Sequence, residues 1–217
     1  MMTSFAALMV LLAPVQTPSA DSVWHESHVL QDVTADGVAD SLALRFVGRD
    51  IDALTVSFEI WSGGGRLHSE AWSSRMYFRY PPRGYPPAWT LDQKRDKLSQ
   101  EWSEFFNESA FASASSIPDR PEGSEPMGPR EVISFYLAYD AVLDSLLAQG
   151  QDSALARPAA QSAGWAASSD DPRVREIWAA ILRSDPVTFR FHSGGEITST
   201  LSWSPSERRF RRVYSCC

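Results

Sequence analysis

Between Val23 and Trp72 apolar and polar residues alternate with a period of two. In "ALTVSFEIW", Leu54, Val56, Phe58 and Ile60 alternate with Thr55, Ser57 and Glu59, the pattern of a strand with one buried face. "SLALRFV" repeats it with Leu42, Leu44 and Phe46. "VWHESHVL" precedes these runs and "RLHSEAW" follows them, and the "SGGG" at Ser62–Gly65 supplies the positive-φ positions of a hairpin turn. The spacing predicts an antiparallel meander of about four strands.

The period then lengthens to that of a helix. Thr90 and Gln93 have capping-box spacing, and Leu91, Leu98, Trp102 and Phe105 fall on one stripe behind them. A second helix is expected from Pro129 to Gln149, with proline at its start and Gly150 as its stop. Val132, Phe135, Tyr136, Tyr139, Val142, Leu143, Leu146 and Leu147 give it a broad apolar face, read as core. The stretch "DSALARPAAQSAGWAASSD" is ambiguous and has room for a short helix. Asp171-Pro172 then supplies an N-cap and first position for a helix with Val174, Ile177, Trp178 and Ile181 on one face. After Asp185-Pro186 the period of two returns in "VTFRF", "EITSTLSW" and "RRFRRVY". The expected fold is α+β: antiparallel β-meanders at both ends of the chain, with about three helices inserted between them and packed on the sheet.

Three connecting features add to this. "YPPRGYPPAW" (residues 80–89) repeats Tyr-Pro-Pro and reads as a stiff connector with packed tyrosines, a polyproline ligand being the other use of such a run. "ASASSIPDRPEGSEPMGP" reads as a loop. Ser62-Gly63-Gly64 stands ten residues before Trp72, and Ser193-Gly194-Gly195 ten before Trp203, which is either a duplicated hairpin or coincidence.

The 217 residues are 43% hydrophobic and 22% charged, which suits one domain, residues 21–217, with an ordinary core. A formal net charge of −7 argues against general nucleic-acid binding, which wants a basic surface. Positive charge gathers only near the end, at Arg208, Arg209, Arg211 and Arg212. Alternation on a strand predicts a solvated edge protected by charge, with an anion or acidic-partner site as the alternative.

Phe5 to Val15 is an apolar run too short to span a bilayer, and small residues ending at Ala20 follow it. Residues 1–20 resemble a secretory signal peptide, although no Lys or Arg precedes the apolar run; a buried N-terminal element is the other reading. The expected location is therefore outside the cytoplasm, periplasmic or secreted, with no transmembrane segment. The two cysteines are neighbours, Cys216 and Cys217. They leave no partner for a staple across the fold. The alternatives are a vicinal disulfide, a disulfide-linked dimer through Cys216 or Cys217, a soft-metal contact, and a free tail; an oxidising compartment favours the disulfides.

One stretch carries candidate chemistry. In "DVTADGVAD", Asp32, Thr34 and Asp36 occupy positions 1, 3 and 5 of a loop with Gly37 at position 6, the Val38 carbonyl at 7 and Asp40 at 9. Calcium takes six to eight oxygens, and alternating carboxylates around a glycine turn supply several from one short loop. At position 12 Ala43 stands where an EF-hand has its bidentate glutamate, and no helices flank the loop, so it is not an EF-hand. It resembles the D-x-[DN]-x-D-G-x-x-D loops of FG-GAP and VCBS-type repeats, and small exported bacterial proteins that carry one such loop. Thr34 departs from that pattern at the third position, and the likeness covers about twenty residues, once, where a propeller needs several copies. The resemblance implies a structural calcium site of Asp32, Thr34, Asp36, Val38 and Asp40, with affinity of roughly 10⁻⁴ to 10⁻³ M. Glu26, Asp50 and Asp52 are candidates for a further ligand. The competing reading is a turn in which the aspartates bond local amides.

Catalytic signatures are missing. His25 and His28 in "HESH" point to opposite faces of a strand and lack H-E-x-x-H spacing. No G-x-S-x-G, P-loop or G-x-G-x-x-G occurs. Two functions remain. The first is an exported, non-enzymatic binding or structural module with a calcium-stabilised hairpin and a protein or carbohydrate partner. The second is a hydrolase with its site at the helix–sheet boundary, marked by a polar cleft holding a His or Glu of shifted pKa.

Overall fold

A computed structural model describes residues 22–79, 89–118, 127–194 and 197–216, with only the backbone of Cys216. The leader-like residues 1–20, the Tyr-Pro-Pro repeat and Cys217 lie outside the described residues. Strands β1 (Val23–Gln31), β2 (Asp40–Val47), β3 (Thr55–Ser62) and β4 (Gly65–Ser73) pair in chain order as an antiparallel meander. Leu42, Leu44 and Phe46 lie opposite Ile60, Phe58 and Val56, and all six are sealed from solvent. This is the alternating face that the pattern predicts. Gly63 and Gly64 both have positive φ, +54° and +81°, as a two-residue hairpin turn requires.

Helices α1 (Leu91–Glu104), α2 (Pro129–Ala148), α3 (Ser153–Ala166) and α4 (Pro172–Ser184) follow. The Thr90–Gln93 capping box forms in full. Leu98 and Phe105 of the predicted stripe are buried, but Leu91 is half exposed because it sits in the first turn, beyond the body it would have to reach. The ambiguous segment is the 14-residue α3, capped by Asp152 and built on alanines, the best helix formers. Its small residues Ala156, Ala160 and Gly164 let it lie close on α2: a Cβ on Gly164 would come within 2.7 Å of the Phe135 ring. Among the described residues four helices therefore stand where about three were expected, and the class is α+β.

The second sheet contains β5 (Phe111–Ser113), β6 (Val187–His192), β7 (Thr198–Ser204) and β8 (Arg209–Cys216), again antiparallel in chain order. β5 is three residues long, too short to show a period, and pairs Phe111 with Phe189. The two sheets meet through aromatics: Phe58 lies 4.9 Å from Phe189 and 5.4 Å from Phe191, ring centre to ring centre. Phe105, at the C-cap of α1, closes the same cluster, 5.5 Å from Phe58. On the far face of the second sheet, Val213 joins Ile133 of α2 and Val174, Ile177, Trp178 and Ile181 of α4. The second sheet is thus covered on both sides, by the first sheet and by helices. That is why the polar-looking β7 is almost wholly buried, including Ser199, Thr200, Ser202 and Ser204.

Two links tie the body together. Ser74, sealed from solvent, donates to the Ile51 carbonyl at 2.7 Å and accepts from the Leu54 amide at 3.0 Å. The Tyr77 hydroxyl accepts from Trp72 Nε1 at 3.0 Å and donates to the His192 carbonyl at 3.3 Å, joining the first sheet to the second. The two Ser-Gly-Gly echoes occupy different places: the third connection of the first meander and the second connection of the other sheet.

Candidate functional sites

The Asp-rich loop joins β1 to β2, whose last pairing is Gln31 with Asp40. Asp32 gathers the turn, its two oxygens accepting from the Asp36 amide at 3.3 Å and the Gly37 amide at 2.9 Å. Asp36 accepts from the Val38 amide at 2.8 Å. Ala35 and Gly37 adopt positive φ, 59° and 85°, which the glycine takes without cost and the alanine only under constraint. Asp40, sealed from solvent, directs Oδ2 to the Val33 amide at 2.9 Å and to the Thr34 amide and hydroxyl, both at 3.1 Å. Its Oδ1 is buried without a partner.

The five predicted ligands therefore share one loop, with Thr34 and Asp40 in direct contact and Val38 on the exposed rim. Among the described residues no group of three or more His, Cys, Asp or Glu side chains converges on a point where an ion would sit. Each further candidate has another task. Glu26 pairs with His28 at 3.0 Å, Asp50 caps a helical turn through the Asp52 amide at 3.0 Å, and Asp52 holds Lys94 at 2.6 Å. The two histidines of "HESH" do lie on opposite faces. His25 stacks on Trp102 with ring centres 4.6 Å apart, and burial holds its pKa below the ordinary value.

A second arrangement was not singled out by the residues. It is a cleft of about 310 Å³ where β4, β8 and α2 meet, lined among others by His68, Glu70, Tyr136, Tyr139, Asp140 and Arg209. Arg212 reaches across it from β8. Its Nη2 lies 2.6 Å from Glu70 and its Nη1 donates to the Tyr136 hydroxyl at 2.9 Å, with the guanidinium 4.7 Å above the Tyr136 ring. The His68 Nε2 lies 3.0 Å from the same Glu70 oxygen. Burial by itself would raise the Glu70 pKa. The hydrogen bond from His68 and the charge of Arg212 outweigh it, so Glu70 lies below the ordinary carboxylate value.

The next arginine, Arg211, is 5% exposed and locked to Glu207 by two bonds, 2.6 and 2.7 Å. Asp140 of α2 is held more loosely, 3.6 Å from Arg209 and 3.7 Å from Arg211. Burial pushes the Asp140 pKa up, Asp144 adds to the rise, and the two arginines offset only part of it. The cleft thus holds one carboxylate biased toward ionisation and one biased against it.

Arg208 and Arg209 are exposed and β8 is the last strand of its sheet, as the reading of a solvated edge expects, but Arg211 and Arg212 depart from it. Arg211 and Arg212 are largely buried because the strand is covered on both faces, by α2 on one and the first sheet on the other. The signal available in the sequence was the strand's own alternation: Arg211 and Arg212 must face opposite ways, and each then needs an acid from a different element. No protein-family model, curated protein or solved structure matches the chain.

Proposed function

We propose that the protein is an exported, non-enzymatic binding or structural module whose β1–β2 hairpin is stabilised by calcium. The observation that carries this is Asp40, a carboxylate sealed from solvent with one oxygen bonded to the chain and the other to nothing. Buried charges are normally paired or bound to metal, and a buried acceptor without a partner is uncommon. Thr34, which touches Asp40, is oriented by the same oxygen. The residues that would hold the ion are Asp32, Thr34, Asp36, Asp40 and the Val38 carbonyl. Because Asp32, Asp36 and Asp40 do not converge on one point, binding would have to draw them together, and the cation would then pin the edge of the first sheet. Export rests on the leader-like residues 1–20, and among the described residues no helix is long and apolar enough to cross a membrane.

The test is a thermal melt in calcium and in EDTA, beside Asp36→Ala. Calcium at about millimolar concentration, the range of extracellular modules, should raise the midpoint of the native chain and leave that of Asp36→Ala unmoved. An unmoved native chain refutes the site.

The second reading, a hydrolase at the helix–sheet boundary, is favoured by the cleft alone. Glu70 and Asp140 line one cavity with pKa values displaced in opposite directions, the arrangement by which paired carboxylates divide into base and acid. Turnover of chromogenic glycosides that falls with both Glu70→Gln and Asp140→Asn would favour it over the module.

A further inference from the structure

We propose that the cleft between α2, β4 and β8 binds a small monoanionic ring compound, of the chemical class of a uronic acid, with Arg209 pairing its carboxylate. This goes beyond the calcium reading and rests on different residues, far along the chain from the Asp-rich loop.

Two of the three arginines in the lining are already engaged. Arg212 is closed on Glu70 and Tyr136, and Arg211 on Glu207. Arg209 is different. Its contact is Asp140 at 3.6 Å, beyond hydrogen-bond distance, and Asp140 is drawn equally toward Arg211. Half of the Arg209 side chain is exposed, so its charge is reachable without breaking a buried pair. Arg211 and Arg212 are each neutralised by a bonded glutamate, Glu207 and Glu70, which leaves Arg209 and Asp140 as the loosely held pair of the lining. A guanidinium held this loosely can turn its fork to a carboxylate in two parallel hydrogen bonds.

The other walls narrow the class. Tyr139 presents aromatic surface beside Tyr136, whose ring Arg212 covers on one side. The His68 ring uses Nε2 on Glu70 and leaves its other nitrogen for a hydroxyl. Aromatic faces with a few convergent polar atoms suit a hydroxylated ring. Charge sets the valence. With one cation available and Glu70 and Asp140 in the same wall, a dianion meets repulsion that a monoanion avoids. The volume, about 310 Å³, lies at the small end of ligand sites and suits an occupant of about one ring.

The experiment is calorimetric titration of the full chain, in EDTA to remove any calcium effect, with D-glucuronate, D-glucose and inorganic phosphate. Glucuronate should bind, and glucose should bind about tenfold more weakly or not at all, the loss expected for a charge-assisted pair. Arg209→Gln should weaken glucuronate about tenfold, and Arg95→Gln, an exposed arginine of α1 outside the lining, should leave it unchanged. Arg209 is half exposed and loosely paired, so its variant is expected to fold. If its melt shows otherwise, Tyr139→Ala carries the same comparison. Absence of glucuronate binding at about 10 mM, well above a millimolar affinity, overturns the proposal. So does unchanged binding by Arg209→Gln. Phosphate binding as tight as glucuronate overturns the requirement for a ring.

Discussion

Gly194 offers the sharpest test of how the two sheets meet. It lies in the turn between β6 and β7, where the Ser193 amide donates to the Ile197 carbonyl and the Ile197 amide to the Gly194 carbonyl. Its φ is +98°, and a Cβ placed there would stand 2.5 Å from the Met76 Cβ, 2.9 Å from the Met76 carbonyl carbon and 3.0 Å from the Tyr77 nitrogen. Two of those atoms are backbone and have no rotamer by which to retreat. Gly64 is the natural control: its φ is +81°, but a Cβ there meets nothing within 4 Å. Gly64→Ala should cost only the left-handed backbone, about 1–2 kcal/mol. Gly194→Ala should add the overpacking of a closed contact, about 1–3 kcal/mol more. Against a total stability of about 5–15 kcal/mol, the sum is a large fraction. Urea unfolding followed by far-UV dichroism and tryptophan fluorescence measures both variants under one set of conditions. Equal losses would refute the close approach of this turn to residues 76 and 77, and with it the path by which Tyr77 reaches His192.

Two further outcomes follow from buried polar links. Ser74→Ala removes one hydroxyl that serves both the Ile51 carbonyl and the Leu54 amide in a sealed position, so it should cost about 2–3 kcal/mol in urea unfolding; a loss within error of zero would remove Ser74 as a tie. Glu70→Gln leaves the Arg212 guanidinium without its counter-charge and should cost about 2–4 kcal/mol at neutral pH. The Glu70 pKa is lowered by folding, so its contribution is present above its ordinary value of 4.5 and fades as pH falls through the lower folded value. The gap between variant and native chain should therefore close on acidification, and a gap independent of pH would contradict the ion pair.

The strands and helices with strong periods were legible because burial on one face imposes the period directly. β2, β3, α1, α2 and α4 stand where the alternation and the caps place them. β5 was not legible: three residues hold no period, and its existence depends on Phe189 lying opposite Phe111. The length of α3 was obscured by Pro158 and by an alanine-rich face that offers little contrast. The layering was hidden for a different reason. Alternation tells which face of a strand is apolar and says nothing of what covers the other, so the arginines of β8 read as a solvated edge although α2 covers their second face. The cleft was hidden for the same cause. Its parts come from positions 68–70, 136–140 and 209–212, and only the fold brings three elements so far apart in sequence to one place.

The Asp-rich loop shows where residue patterns stop discriminating. A capped turn and a calcium loop ask the chain for the same things: a glycine at the sharp bend and acids at alternate positions to hold successive amides. Asp32 and Asp36 satisfy both demands, since each bonds the amides of its own turn and, with two oxygens per carboxylate, still has lone pairs to offer a cation. Asp40 separates them. A turn needs no third carboxylate at the first residue of a strand, and an acceptor for the Val33 and Thr34 amides could be a neutral side chain at far lower desolvation cost. A carboxyl group there, sealed from water and with one oxygen idle, is a buried polar group left half satisfied, and a cation sharing the site would complete it. The alternation of acids along the loop is common to both readings; the burial of the last of them weighs toward the cation.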